Sequence, residues 1–243
     1  MAPFPSPSYN IAQALAQVQQ RIAQAVAQAG RPANSVRLLA VSKTFPADAV
    51  ASAVLAGQTS FGENYVQEGI AKITALREQG LHALQWHCIG PVQSRKTAQV
   101  STHFDWMQSL DRLDIAQRLS RQRPAGLPPL QVCLQINIDG GANKSGVTPG
   151  QALELAQAVQ DLPGLQLRGL MSIPEPYEDP RQTLEVHRRT RTLFDEMGQI
   201  LKLPLWDTLS MGMSQDLELA ITAGSTMVRV GSAIFGARTT QAG

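Results

Sequence analysis

Between Tyr9 and Gly30 the apolar positions Ile11, Leu15, Val18, Ile22 and Val26 recur three or four residues apart, and Gly30 follows as a stop. That spacing predicts an amphipathic helix. Beyond it the chain changes to short apolar runs rich in β-branched residues, separated by helix-like segments. The runs are VRLLAVS (36–42), TSFGEN (59–64), LQWHCIG (84–90), FDWMQSL (104–110), LQVCLQINI (130–138), LQLRGLMSI (165–173), DTLSMG (207–212) and MVRVGSAIF (227–235). They read as eight strands, each but the last followed by a helix. Strict alternation of strand and helix predicts a parallel sheet. A count of eight within 243 residues predicts an α/β chain folded as a closed (β/α)8 TIM barrel with an extra N-terminal helix. An open doubly wound sheet is the alternative, and the lack of a Gly-rich dinucleotide turn after the first strand counts against it. No break in composition marks a second domain. One barrel domain is expected over residues 9–238, with a disordered Pro/Ser tail over 1–8 and a C-terminal tail over 239–243.

Composition narrows the classes of function. With 43% hydrophobic residues the chain can build a substantial core, and its net charge of +2 comes from nearly balanced acids and bases. No Lys/Arg-rich run stands out, so no nucleic-acid partner is expected; RQTLEVHRRTR (181–191) reads as a solvated helix face. Cys88 and Cys133 both lie in apolar stretches, as buried free thiols do. No apolar stretch reaches the roughly 18 residues of a membrane span, and the N-terminus MAPFPSPSYN has neither the basic nor the apolar part of a signal peptide. A cytoplasmic monomer without a membrane partner is the expectation.

In a barrel of this kind function sits where strands end and loops begin. The expected strand ends are Ser42 and Lys43, then GEN (62–64), HCIGPVQ (87–93), QSLD (108–111), NID (137–139) running to NKSG (143–146), MSIP (171–174), SMGMSQD (210–216) and RVGSAIFG (229–236). They are polar and glycine-bearing. Glycines and small hydroxyl residues after the seventh and eighth strands suit a phosphate, because backbone N–H groups can approach the anion closely. A phosphorylated ligand is expected there, with Lys43 across the mouth. Lys43 itself ends the apolar run LLAVSKTFP (38–46). Either the strand surfaces at that lysine, or an amine is delivered to a partly desolvated site where its neutral, nucleophilic form is favoured.

LLAVSKTFP, FGENYVQE, WHCIGPVQSRK, NKSGV, LRGLMSIP, LSMGMSQDLELAI and MVRVGSAIFGAR occur in this order. Together they resemble the pyridoxal phosphate homeostasis proteins, PLP-binding proteins related to the barrel domain of bacterial alanine racemase. The likeness runs from about residue 9 to residue 238. It departs in the third motif, which in that family often reads WHFIG, then leucine, then Q-N-K. The resemblance implies a fold-type III PLP-binding barrel in which Lys43 forms an internal aldimine with pyridoxal 5′-phosphate. It also implies that Arg229 faces the pyridine nitrogen. A guanidinium only donates hydrogen bonds, so it meets an unprotonated ring nitrogen, which is a poor electron sink. The alternative for Arg229 is an ion pair with an acid such as Glu63. Ser210, Ser214, Gly231 and Ser232 are assigned to the phosphate, and Asn64 to the ring or its hydroxyl. Lys144 either takes the aldehyde transiently, contacts the phosphorylated ligand, or is a solvent-facing loop lysine. Lys72, Lys96 and Lys202 are weaker candidates for the aldehyde, His87 reads as a core histidine, and Met211 and Met213 as packing.

Three functions compete at this point. The first is a PLP-binding protein of PLP homeostasis, storing PLP or delivering it to apo PLP-dependent enzymes without efficient turnover. The second is a weak amino acid racemase. The third is a Schiff-base aldolase-type barrel that needs no cofactor. Alanine racemase draws a second acid/base tyrosine from a separate domain; Tyr9, Tyr65 and Tyr177 are not obvious substitutes, which favours the first.

Overall fold

The structure is a computed structural model and describes residues 10–141 and 144–236. Helix α1 (Ile11–Gln28) forms where the three-and-four spacing expects it, capped by Asn10, whose side chain accepts from the Gln13 N–H at 3.0 Å. Leu15, Val18, Ile22 and Val26 are buried. Eight strands follow: β1 (Arg37–Val41), β2 (Ser60–Glu63), β3 (Gln85–Cys88), β4 (Trp106–Leu110), β5 (Leu130–Ile136), β6 (Leu165–Ser172), β7 (Thr208–Ser210) and β8 (Met227–Val230). Each pairs in parallel with its sequence neighbour, and β8 closes on β1 through the register Arg37 to Met227 and Ala40 to Val230. The helices between them are α2 (Ala47–Leu55), α3 (Val66–Glu78), α4 (Thr97–His103), α5 (Leu113–Gln122), α6 (Pro149–Gln160), α7 (Pro180–Leu201) and α8 (Leu217–Thr222). The main core lies between strands and helices, where Phe61, Ile73, Leu76, Leu119 and Val159 are fully buried.

Every strand expected from the sequence exists, but the eighth is shorter than expected. It stops at Val230, and Ser232–Phe235 form a helical turn, α9, instead of continuing the strand. The apolar run VGSAIF hides that change, since periodicity does not separate a buried strand end from a short buried helix. The expected tails over 1–8 and 239–243 lie outside the described residues.

The barrel interior is partly polar. Gln108 donates to His87 Nδ1 at 2.9 Å and to Met227 Sδ at 3.1 Å, and accepts from the Ser210 hydroxyl at 2.7 Å. His87 stacks on Trp106, with ring centroids 5.0 Å apart. Two guanidinium groups, Arg37 and Arg168, lie 5.6 and 4.9 Å from the Trp106 ring centroid at the opposite end from the loops considered below. Cys88 and Cys133 are buried, free and pushed up to about 12 by burial, so neither is a thiolate nucleophile. No helix among the described residues is long and apolar enough to cross a membrane.

Candidate functional site

The loops after the strands enclose a cavity of about 720 Å³ at one mouth of the barrel. Seven of the eight residues singled out from the sequence line it: Lys43, Asn64, Lys144, Ser214, Arg229, Gly231 and Ser232. They come from the ends of β1, β2, β5, β7 and β8, so only closure of the barrel brings them together. Gly90, after β3, permits the close approach that places Asn64. A Cβ there would fall 2.2 Å from the Asn64 carbonyl oxygen.

Ser210 is the exception. It is fully buried below the cavity, and both capacities of its hydroxyl are taken: it donates to Gln108 Oε1 at 2.7 Å and accepts from Arg229 Nη1 at 2.8 Å. Its expected place on the phosphate is therefore corrected, because alternation along β7 turns it into the barrel interior.

Arg229 is held from beneath. Nη1 donates to both the carbonyl and the hydroxyl of Ser210, and Nη2 donates to the Ser172 carbonyl at 2.8 Å. Burial pushes its pKa down to about 10, a fall opposed by Asp216, so the guanidinium keeps its charge at neutral pH. The expected alternative partner, Glu63, is engaged elsewhere. Its Oε1 receives Lys72 Nζ at 2.7 Å and the Ser42 hydroxyl at 2.6 Å.

Lys43 follows β1 in a turn with an unusual backbone. Thr44 has φ +69°, a left-handed conformation that costs an L-residue roughly 1–2 kcal/mol. The turn is secured on both sides: Lys72 Nζ donates to the Ser42 carbonyl at 2.6 Å, and the Thr44 N–H donates to Glu68 Oε1 at 2.5 Å. Lys72 is buried and also meets Glu68 Oε1 at 2.7 Å. Burial raises the pKa of Glu63, and the adjacent Lys72 ammonium works against that rise.

Lys144 is not the solvent-facing loop lysine that one sequence reading allowed. Its Nζ lies 3.3 Å from Asp139 Oδ2 and 3.2 Å from Glu175 Oε1, and it donates to the Ile173 carbonyl at 3.0 Å, tying the loops after β5 and β6 together. Its sequence neighbour Asn143 lies outside the described residues.

The loop after β7 is braced as well. Asp216 Oδ1 accepts from the Met213 N–H at 2.7 Å, and Oδ2 lies 2.9 Å from His187 Nε2. Burial opposes the Asp216 charge, but these hydrogen bonds outweigh it and hold its carboxyl below the usual range. Arg21 reaches from α1 to donate to the Ser214 carbonyl at 3.1 Å while pairing with Glu218 at 2.8 Å. The N-terminal helix thus steadies Ser214, one of the serines assigned to the phosphate.

Three residues of this region are not among the site residues assigned from the sequence. Tyr177 and Asp216 line the cavity, and Lys72 lies directly beneath the Lys43 turn. For Lys72 a signal existed: it falls on the three-and-four stripe of Gly69, Ile73 and Leu76, the buried face of α3.

Known proteins resemble the chain over most of its length. The family described as alanine racemase, N-terminal domain, matches residues 14–239. Proteins of Pasteurella multocida and Escherichia coli K12, both named pyridoxal phosphate homeostasis protein, are 53% identical over 229 residues. Those matches span 94% of this chain and 98% and 97% of theirs. Among solved structures, PipY of Synechococcus elongatus with PLP bound is 36% identical with a TM-score of 0.81, over 93% of this chain and 100% of that one. Alanine racemase of Clostridium difficile shares the fold at 14% identity and a TM-score of 0.75, over 96% of this chain and 58% of that one.

Proposed function

The chain belongs to the pyridoxal phosphate homeostasis protein family, within the wider alanine racemase N-terminal domain family, and from that premise we propose that it binds pyridoxal 5′-phosphate through Lys43 and passes it to apo-enzymes that need it. One observation carries this reading: seven residues expected from the sequence to hold that group converge on one cavity. Their chemistry fits it. Lys43 supplies an amine for the aldehyde, Ser214, Ser232 and the Gly231 backbone supply donors for a phosphate dianion, and Asn64 supplies an amide. Arg229 supplies a donor where the ring nitrogen can only accept. Bound pyridoxal phosphate supplies an aldehyde that condenses with amines and a ring that withdraws electrons.

The protein's own residues favour holding over turnover. Arg229, fixed by Ser210 and Ser172, offers no acceptor that would keep a ring nitrogen protonated, so electron withdrawal stays weak. Lys144, bridging Asp139 and Glu175, secures the rim and is a second amine lining the same cavity. Racemase chemistry has one specific support, Tyr177 on the cavity wall.

The reading is tested by loading the purified protein with pyridoxal phosphate and measuring delivery to an apo-aminotransferase beside turnover of a panel of amino acids. Delivery with negligible turnover is expected. Turnover near about 10 s⁻¹, a median enzyme rate, overturns it.

A further inference from the structure

The cluster beneath Lys43 belongs to none of the contacts assigned to a ligand. Lys72 and Glu68 come from α3, Glu63 from β2 and Ser42 from just past the end of β1, and two of them are charged groups almost wholly out of water: Glu63 is fully buried and Lys72 is 5% exposed. Burying an ion pair gives little net stability compared with apolar packing, so its use here calls for another explanation. What the cluster grips is the turn. Lys72 Nζ takes the carbonyl of the residue before Lys43, and Glu68 Oε1 takes the N–H of the residue after it. The same Glu68 oxygen receives Lys72 Nζ, so the two grips share one atom. The gripped Thr44 has positive φ, which a β-branched residue adopts only when its surroundings impose it.

We propose that Glu68 and Lys72 are positioning residues that hold the Ser42–Lys43–Thr44 turn in its strained form and so aim the Lys43 amine into the cavity before any ligand arrives. The proposal rests on the reading of Lys43 as the residue that captures the aldehyde. Glu68 does the holding at Thr44. Lys72 neutralises Glu63 and Glu68 while fixing the Ser42 carbonyl. No contact between this pair and the ligand is required.

The test compares Glu68→Ala with Glu68→Gln, since glutamine keeps an oxygen to accept the Thr44 N–H. Two quantities are read in each: hydrogen exchange of the Thr44 amide in the ligand-free protein, and the rate at which pyridoxal phosphate becomes borohydride-fixed on Lys43. Glu68→Ala is expected to speed Thr44 exchange and slow capture, each by roughly tenfold or more, as misplacement of a reacting group does. The Leu134 amide in β5 should keep its protection. Glu68→Gln should recover most of both losses. Wild-type capture in Glu68→Ala, or no recovery in Glu68→Gln, overturns the proposal. Should Glu68→Ala not fold, Thr44→Gly decides: with the Cβ gone, adding Glu68→Asp, which draws the carboxylate back by one methylene, should change capture less than in the Thr44 background, and an equal or larger change overturns the proposal. If the wild type forms no Lys43 adduct, the binding reading falls and the proposal with it. That failure is distinct from failure of the grip, which the Thr44 exchange reports without ligand.

Discussion

Arg229 and Ser210 are joined twice: one guanidinium nitrogen, Nη1, donates at 2.8 Å to both the carbonyl and the hydroxyl of the serine. The pairing fixes the arginine beneath the cavity and uses up a hydroxyl that the sequence placed on a phosphate. Onward from Ser210 the chain of bonds runs through Gln108 to His87 Nδ1. Its direction follows from the arginine, which can only donate. His87 therefore accepts at Nδ1 and carries its proton on Nε2.

Ser214 and Ser210 should accordingly behave differently. Ser214→Ala is expected to weaken pyridoxal phosphate binding by about 10- to 150-fold, for a charge-assisted hydrogen bond of roughly 1.5–3 kcal/mol, while leaving binding of unphosphorylated pyridoxal nearly unchanged. Ser210→Ala should instead lower stability, since it strips partners from buried Arg229 and Gln108. Binding titrations with both ligands, beside urea denaturation, check this. Equal loss for the two ligands in Ser214→Ala would remove Ser214 from the phosphate site.

Arg229→Leu leaves the Ser210 and Ser172 carbonyls without their buried donor. The expected cost is about 2–4 kcal/mol of unfolding free energy, read from urea denaturation. Arg229→Lys, which keeps a charge but not the two-sided grip, should recover only part of it. A midpoint within error of wild type for Arg229→Leu would mean that the arginine is not held as described.

The strands were legible because runs of β-branched residues bounded by polar ends leave few other options, and the mouth was legible because this fold puts its sites there. Ser210 was misplaced for a definable reason. The sequence puts it in the strand end 210–216, whereas it is the last residue of β7 and the alternation shared by Thr208 and Ser210 points both into the barrel, where Arg37 and Gln108 meet them. From the sequence Lys72 is only a weaker candidate for the aldehyde, although its position on the buried stripe of α3 is visible there. Its partner Glu63 could not be found from spacing, because that contact joins two elements that only the closed barrel aligns.

Burial pushes the His87 pKa down from 6.5 to about 3, with nearby Arg37 adding to the fall. The unfolded chain therefore binds a proton below about pH 6.5 that the folded barrel refuses until about pH 3. Stability from this group is fully present above the unfolded pKa and is lost as pH falls through that window, on the order of 4 kcal/mol by its lower end. His87→Gln should flatten the decline in urea midpoint between pH 7 and pH 4 relative to wild type. An unchanged slope would contradict the neutral buried histidine.

The central claim is that Lys43 is the residue that captures the aldehyde, and the most direct measurement is peptide mapping of the protein after loading with stoichiometric pyridoxal phosphate and borohydride reduction. The account predicts one dominant modified peptide carrying the label on Lys43, its loss in Lys43→Ala with the urea midpoint nearly unchanged, and only minor label on Lys144. Dominant label on Lys144, Lys72 or a scatter of surface lysines in the wild type would contradict it.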